Sequence, residues 1–320
     1  MALYLDKTQP LSTKGGTLSS DELNRHATDI AKEHKITANH NDILLTRLNN
    51  NFKNITDVYK YFYEKSNNNV PICSASEWLL DNYYIIEEQY KILTHQLDKN
   101  FFKQLMYLKN SIFKGLPRIF AVCYELISHT DGRLDKENLT AFIESYQKVA
   151  PLTMQELWCL EPILKLSLLE YISSLCIKLY TIQNTWDKVL SFNNLDGDEI
   201  AKIVQEHLEN MESIDYHFLE RVFVYIKKSN KTYENIMNII NDKLFEYDIT
   251  VDDVIHHEHQ EQAKLQMSIG NSISSLRFVI ALNFEDLFEE LSYVERILRQ
   301  DPSGFYSKQD FETRSYYRKK

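Results

Sequence analysis

Apolar positions along this chain recur every three or four residues, not every two, so the pattern predicts helices almost throughout. Ser19-Ser20-Asp21-Glu22 supplies an N-cap and first-turn acids for a helix with Leu23, His26, Ala27 and Ile30 on its apolar stripe. A second helix spans 42–65, with Leu44, Leu45, Leu48, Phe52, Ile55, Val58, Tyr59 and Phe62 at helical spacing; Ser66 to Asn69 and Pro71 end it. A third spans 74–97. Its apolar side carries Trp78, Leu79, Asn82, Tyr83, Ile85 and Ile86, while Glu77, Asp81, Tyr84 and Glu88 form a stripe down the other side. A shorter helix is expected over 101–108, and one over 118–129 that is apolar almost all round and therefore central. Asp135 caps the next. Thr153-Met154-Gln155-Glu156 is a capping box directly before the most apolar stretch, 157–180. Three helices follow near 196–210, 213–229 and 231–246. A long one then runs from 251 towards 300, interrupted near Gly270-Asn271 or Asn283, and Asp301-Pro302-Ser303-Gly304 breaks it before a last basic piece.

The expected fold class is all-α: a multi-helix bundle of two packed helical subdomains without significant β-sheet. Residues 1–17 read as a flexible tail, 18–192 as the first subdomain and 193–320 as the second, divided at Asn193-Asn194-Leu195-Asp196-Gly197. Composition agrees. The chain has 7 Gly in 320 residues, about a third of the usual ~7% share, and 6 Pro, so tight turns are scarce. No fixed-period repeat is visible.

A net charge of −10 disfavours nucleic acid as a partner. Charge is uneven. Eight acids and one Lys fall between Asp196 and Glu220, and five bases and two acids between Lys308 and Lys320. Both runs read first as solvated helix faces, and the basic end also suits a segment beside a membrane on its cytoplasmic side. Cys73, Cys123, Cys159 and Cys176 are far apart and form no C-x-x-C pair, so they read as reduced, mostly buried thiols. No signal core and no stretch of about 20 uncharged apolar residues is present.

Local chemistry is sparse. His256-His257-Glu258-His259 resembles a metal site, but H-E-x-x-H is not completed: Glu261 stands where the second His belongs. His256 and His259 could share an ion at i, i+3, with no third ligand evident. The Glu77, Asp81 and Glu88 carboxylates lie along one helix face, whereas a glycosidase pair flanks its sugar from opposite sides. Asp196-Gly197-Asp198 and the Asp131-to-Asp135 turn do not complete a calcium loop, and no phosphate-cradling glycine motif occurs. No catalytic, metal or cofactor residue is therefore assigned. The stretch 261–277 interleaves Gln262, Gln266, Ser268, Asn271, Ser272, Ser274 and Ser275 with apolar residues, which suits a polar-lined contact inside the domain or a docking groove.

Five segments carry a resemblance. They are Ser19 to Leu23 with His26-Ala27; the Glu77-to-Gln89 run; His129-Thr130-Asp131-Gly132-Arg133-Leu134-Asp135; and Tyr146-Gln147 with Pro151-Leu152-Thr153 and Glu156-Leu157-Trp158. The fifth is Glu258-His259-Gln260 through Gln266-Met267-Ser268-Ile269-Gly270-Asn271, ending in Asp301 to Gly304 and Asp310-Phe311-Glu312-Thr313-Arg314. In that order they resemble the N-terminal region of cyclic β-1,2-glucan synthases, of the glycosyltransferase family 84 type. Such enzymes are large bacterial inner-membrane proteins that polymerise glucose from UDP-glucose.

The resemblance implies a non-catalytic cytoplasmic domain preceding the membrane helices and transferase, whose partner is the rest of the synthase polypeptide and which uses no cofactor. The family's catalytic residues lie outside this segment. The expected interaction surface is Glu77, Trp78, Asp81, Tyr84 and Glu88 on one helix and His259, Gln262, Gln266, Asn271 and Arg277 on another. An alternative is a module binding β-1,2-glucan or a nucleotide sugar through Trp78, Tyr83, Tyr84 and Trp158; a stand-alone helical interaction protein is another.

Overall fold

Side-chain caps set many of the helix starts. In a computed structural model, which describes residue 11 and residues 16–38, 43–97, 99–229 and 233–318, α1 (Ser20–Glu33) begins where the Glu22 carboxylate accepts from the Ser19 backbone N–H at 2.9 Å. After β1 (Ile36–Thr37) come α2 (Ile43–Asn67), α3 (Ala75–Gln96), α4 (Lys99–Phe102), β2 (Tyr107–Leu108) and α5 (Arg118–His129). Asp135 caps α6 (Lys136–Gln147) by accepting from the Asn138 N–H at 2.8 Å. The Thr153–Glu156 capping box opens the short α7 (Met154–Trp158), and α8 (Leu160–Leu190) follows. Pro162 sits in the first turn of α8, where its missing N–H has no helical partner to lose, so the helix runs through it. Asp196 caps α9 (Gly197–Glu209); α10 (Tyr216–Lys228), α11 (Glu234–Glu246) and α12 (Val251–Ala281) come next. Asn283 caps α13 (Phe284–Leu291), Ser292 caps α14 (Tyr293–Leu298), and α15 (Phe311–Arg318) ends the described chain.

Among the described residues the fold is all-α, as the periodicity predicts, with one two-residue antiparallel ladder joining β1 to β2. That ladder corrects the helix expected over 101–108. The helix stops at Phe102, and residues 107–108 run extended, pairing Tyr107 with Thr37 and Leu108 with Ile36. Tyr107 and Leu108 are both buried, so a short apolar run there carries no period to tell strand from helix. Of the 1–17 tail, only residues 11, 16 and 17 are described; Lys319 and Lys320 also lie outside the described residues.

Two compact units are assembled from interleaved segments. The first takes described residues from 1–57, 81–174 and 268–320, and the second from 58–80 and 175–267. The turn at 193–197 lies inside the second unit. Within the first, α1 packs on α6, α5 touches both, and α13 lies against α6 and α7. Ile119, Phe120, Val122 and Leu126 of α5 are buried, which fits its apolar circumference. In the second unit α9 packs on α11, and Phe192, Ile200, Val204, Leu219, Val222, Ile236 and Ile240 form the core. All four cysteines are free and buried, and burial pushes each thiol above its ordinary value. No helix among the described residues is long and apolar enough to cross a membrane.

The basic end differs from a solvated face. Arg314 and Arg318 turn inward onto two acids of the first unit. Glu295 is fully buried and accepts from Arg318 Nη1 at 2.6 Å, Arg299 Nε at 2.7 Å and the Tyr306 hydroxyl at 2.6 Å; Glu289 accepts from Arg314 and Arg318. Counting charges within a short window misses partners twenty residues upstream. Burial alone would push the Glu295 carboxyl up, but the hydrogen bonds from Tyr306, Arg318 and Arg299 outweigh it and hold the group below the ordinary 4.5. A carboxyl with a lowered folded pKa adds stability above its unfolded pKa and loses it as pH falls through the folded value. The Tm advantage of the wild type over Glu295→Gln is therefore expected to be full at pH 6 and above and to shrink progressively below about pH 4.5, read by thermal melts of both proteins across that range. A gap that stays constant to pH 3 would refute it.

Candidate functional site

On α3 the buried stripe is Leu79, Asn82, Ile85, Ile86, Gln89 and Leu93. Glu77, Asp81 and Glu88 are exposed, and Tyr84 is 62% exposed. Trp78 is a correction: it neighbours Leu79 around the helix, falls outside the buried stripe, and is 39% exposed. Two of the aromatic groups considered for sugar stacking are held by protein. The Trp158 ring stacks on Phe288 at 4.4 Å between centroids, and the Tyr83 ring stacks on Phe52 while its hydroxyl meets Thr56 at 2.8 Å.

The polar stretch of α12 is used largely inside the fold. In the second unit Gln262 donates to Glu258 at 2.6 Å, and Gln266 is half-buried. In the first unit Asn271 donates to the Asp131 carbonyl at 3.3 Å, Ser275 Oγ donates to the Gly132 carbonyl at 2.6 Å, and Leu134 N–H donates to Ser275 Oγ at 2.7 Å. Arg277 reaches Asn82 Oδ1 at 2.7 Å. The small side chains thus let α12 lie against the 131–134 turn, and the hydrogen bonds fix its register there.

The His256–His259 motif splits. His256, His257 and His259 are exposed, whereas Glu258 is buried and turned onto His217. Successive helical residues point 100° apart, so the acid and its flanking imidazoles do not converge. Elsewhere in the second unit a cavity of about 220 Å³ is lined by Pro71, Trp186, Arg221 and Tyr225, and the Arg221 guanidinium covers the Trp186 ring at 3.4 Å.

Among the described residues, the group placed to hold a metal ion is His26, Glu125 and His129 in the first unit. Glu125 and His129 are one turn apart on α5 and face the same way; His26 comes from α1. His26 Nε2 lies 2.9 Å from Glu125 Oε2, and His129 Nε2 lies 3.2 Å from the same oxygen. The two imidazoles meet edge to face with centroids 4.5 Å apart. No sequence spacing links His26 to Glu125; the E-x-x-x-H interval of Glu125 and His129 was the available signal.

No protein-family profile matches the chain. The chain is 24% identical over 275 residues to "Cyclic beta-(1,2)-glucan synthase NdvB" of Rhizobium meliloti (strain 1021). The alignment covers 84% of this chain and 10% of that protein, so the chain spans about a tenth of the length of the curated relative it matches. The helical chain therefore resembles, over 84% of its length, one region of a cyclic β-(1,2)-glucan synthase.

Proposed function

We propose that this chain is a non-catalytic helical domain of a cyclic β-1,2-glucan synthase, organising or regulating a transferase elsewhere in the same polypeptide at the cytoplasmic face of the inner membrane. The observation that carries the reading is the resemblance to a glucan synthase along 84% of the chain. A second observation supports a scaffolding role: several buried acids are paired with cations that join separate elements, as in Arg118–Glu156, Arg47–Glu170 and Arg318–Glu295. The exposed stripe of Glu77, Asp81, Tyr84 and Glu88 along α3, and separately exposed His259 and half-buried Gln266 on α12, are the surfaces offered for docking.

Two measurements test this. The reading frame beyond the Lys320 codon is expected to continue into apolar spans and a transferase; a stop codon there would overturn the domain reading and favour action in trans. In membranes carrying the longer protein, Asp81→Ala and Gln266→Ala are expected to lower glucan synthesis from UDP-glucose several-fold. As substitutions outside the core, they should change folding stability by no more than about 0.5 kcal/mol. Unchanged synthesis would remove these surfaces from the docking role.

A further inference from the structure

We propose that His26, Glu125 and His129 form a divalent transition-metal site, occupied by Zn²⁺, with a fourth position open to water. His129 is 2% exposed, and its Nδ1 lies 3.1 Å from the Gly16 carbonyl oxygen. A carbonyl only accepts, so Nδ1 carries the proton and donates it. The other ring nitrogen, Nε2, is buried and faces Glu125 Oε2 at 3.2 Å, an approach outside hydrogen-bond geometry. A buried Nε2 opposite a carboxylate is favourable with a cation between them, and a metal ion and a proton compete for that position. An imidazole held through Nδ1–H by a backbone carbonyl, with Nε2 free, is the orientation that metal-ligating histidines adopt.

The separations agree. Zn²⁺ with bonds of about 2.0–2.1 Å places tetrahedral ligand atoms about 3.3 Å apart. Two of the separations here are 2.9 and 3.2 Å, and all the ligand atoms lie within 4.8 Å of one another. Two imidazoles and one carboxylate suit Zn²⁺ over Mg²⁺ or Ca²⁺, which prefer oxygen ligands. His26 is partly exposed, which leaves an entry route and room for the water. An ion there would tie α1 to α5. The proposal sets aside the expectation of no cofactor, and it stands apart from the synthase reading.

The test uses the whole chain without an affinity tag, stripped with chelator and titrated with Zn²⁺ by calorimetry and thermal melting. One ion per chain is expected, with Tm rising roughly 5 °C at a hundredfold excess of Zn²⁺ over its Kd. Co²⁺ in its place should show the intense visible absorption of a tetrahedral centre. His26→Ala, at a partly exposed position, and Glu125→Gln should each weaken binding by at least about tenfold. His256→Ala/His259→Ala should leave binding unchanged. Failure of the stripped chain to bind Zn²⁺, undiminished binding in a His26→Ala protein whose helical circular dichroism is intact, or loss of binding in the α12 double variant would each overturn the proposal.

Discussion

Glu156→Ala is expected to cost about 4 kcal/mol of folding stability, combining the loss of a buried ion-pair partner (~3–5 kcal/mol) with a damaged helix cap (~1 kcal/mol) that overlaps it. Glu156 is fully buried. Its carboxylate accepts from Arg118 Nε at 2.9 Å, closes a second bond to the Arg118 Nη2 group, and accepts from the Thr153 backbone N–H at 2.8 Å. Arg118 is also buried, and its other partners are neutral: the Pro151 carbonyl at 3.2 Å and the Tyr146 side chain. Burial works against the guanidinium charge, yet the Glu156 carboxylate more than offsets it and raises the Arg118 pKa. Removing the carboxylate would leave a charged guanidinium in the core with only neutral partners, and the first turn of α7 without its return bond. Urea unfolding of wild type, Glu156→Ala, Arg118→Met and the double variant checks this. The double variant should be less destabilised than the sum of the singles, because no orphaned charge remains. A loss below about 1 kcal/mol for Glu156→Ala would show that water reaches Arg118 when the partner is gone.

The same residue shows what could be read in advance. The Thr153–Glu156 box was legible because a cap is a local device, set by four consecutive residues. The ion pair was not, because Arg118 lies 38 residues away and nothing in the spacing joins them. Helix starts at Ser20, Lys136 and Gly197 were legible for the first reason. The strand at Tyr107 was missed for the second, since its partner is Ile36–Thr37. The charge of the chain's end misled in the same way: Arg314 and Arg318 look solvated until Glu289 and Glu295 are folded back against them. The interleaving of the two units follows from long helices whose residues are divided between them, as in α2, α3, α8 and α12, which a search for one linear boundary cannot find. Of the candidate sites, the adjacent histidines at 256–259 drew attention through proximity in sequence, while His26 and His129, 103 residues apart, share a site through the packing of α1 beside α5.

Gly132→Ala is expected to cost about 3 kcal/mol, and the cost should divide into two parts that a second substitution separates. Gly132 closes the end of α5, its N–H donating to the Ile127 carbonyl at 2.8 Å, with φ at +77°. A non-glycine residue in that region is disfavoured by about 1–2 kcal/mol. A Cβ there would also overlap Ser272 Oγ and stand 3.1 Å from the Ser268 carbonyl oxygen and 3.2 Å from Ser272 N, both on α12. Crowding of that kind costs about 1–3 kcal/mol. The oxygen is the hardest contact, so Gly132→Ala in a Ser272→Ala background should recover roughly 1 kcal/mol relative to the sum of the singles, leaving the backbone penalty and the contacts with the α12 main chain. If α12 moves aside instead, the Ser275 bonds to the 132–134 turn are lost as well, because Ser275 accepts from Leu134 and donates to Gly132 at fixed distances. Amide exchange of Leu134 discriminates these responses: protection retained in the variant means local strain is absorbed at the turn, and protection lost means the helix has shifted. A stability loss under about 1 kcal/mol with Leu134 still protected would contradict the close approach on which the polar face of α12 depends.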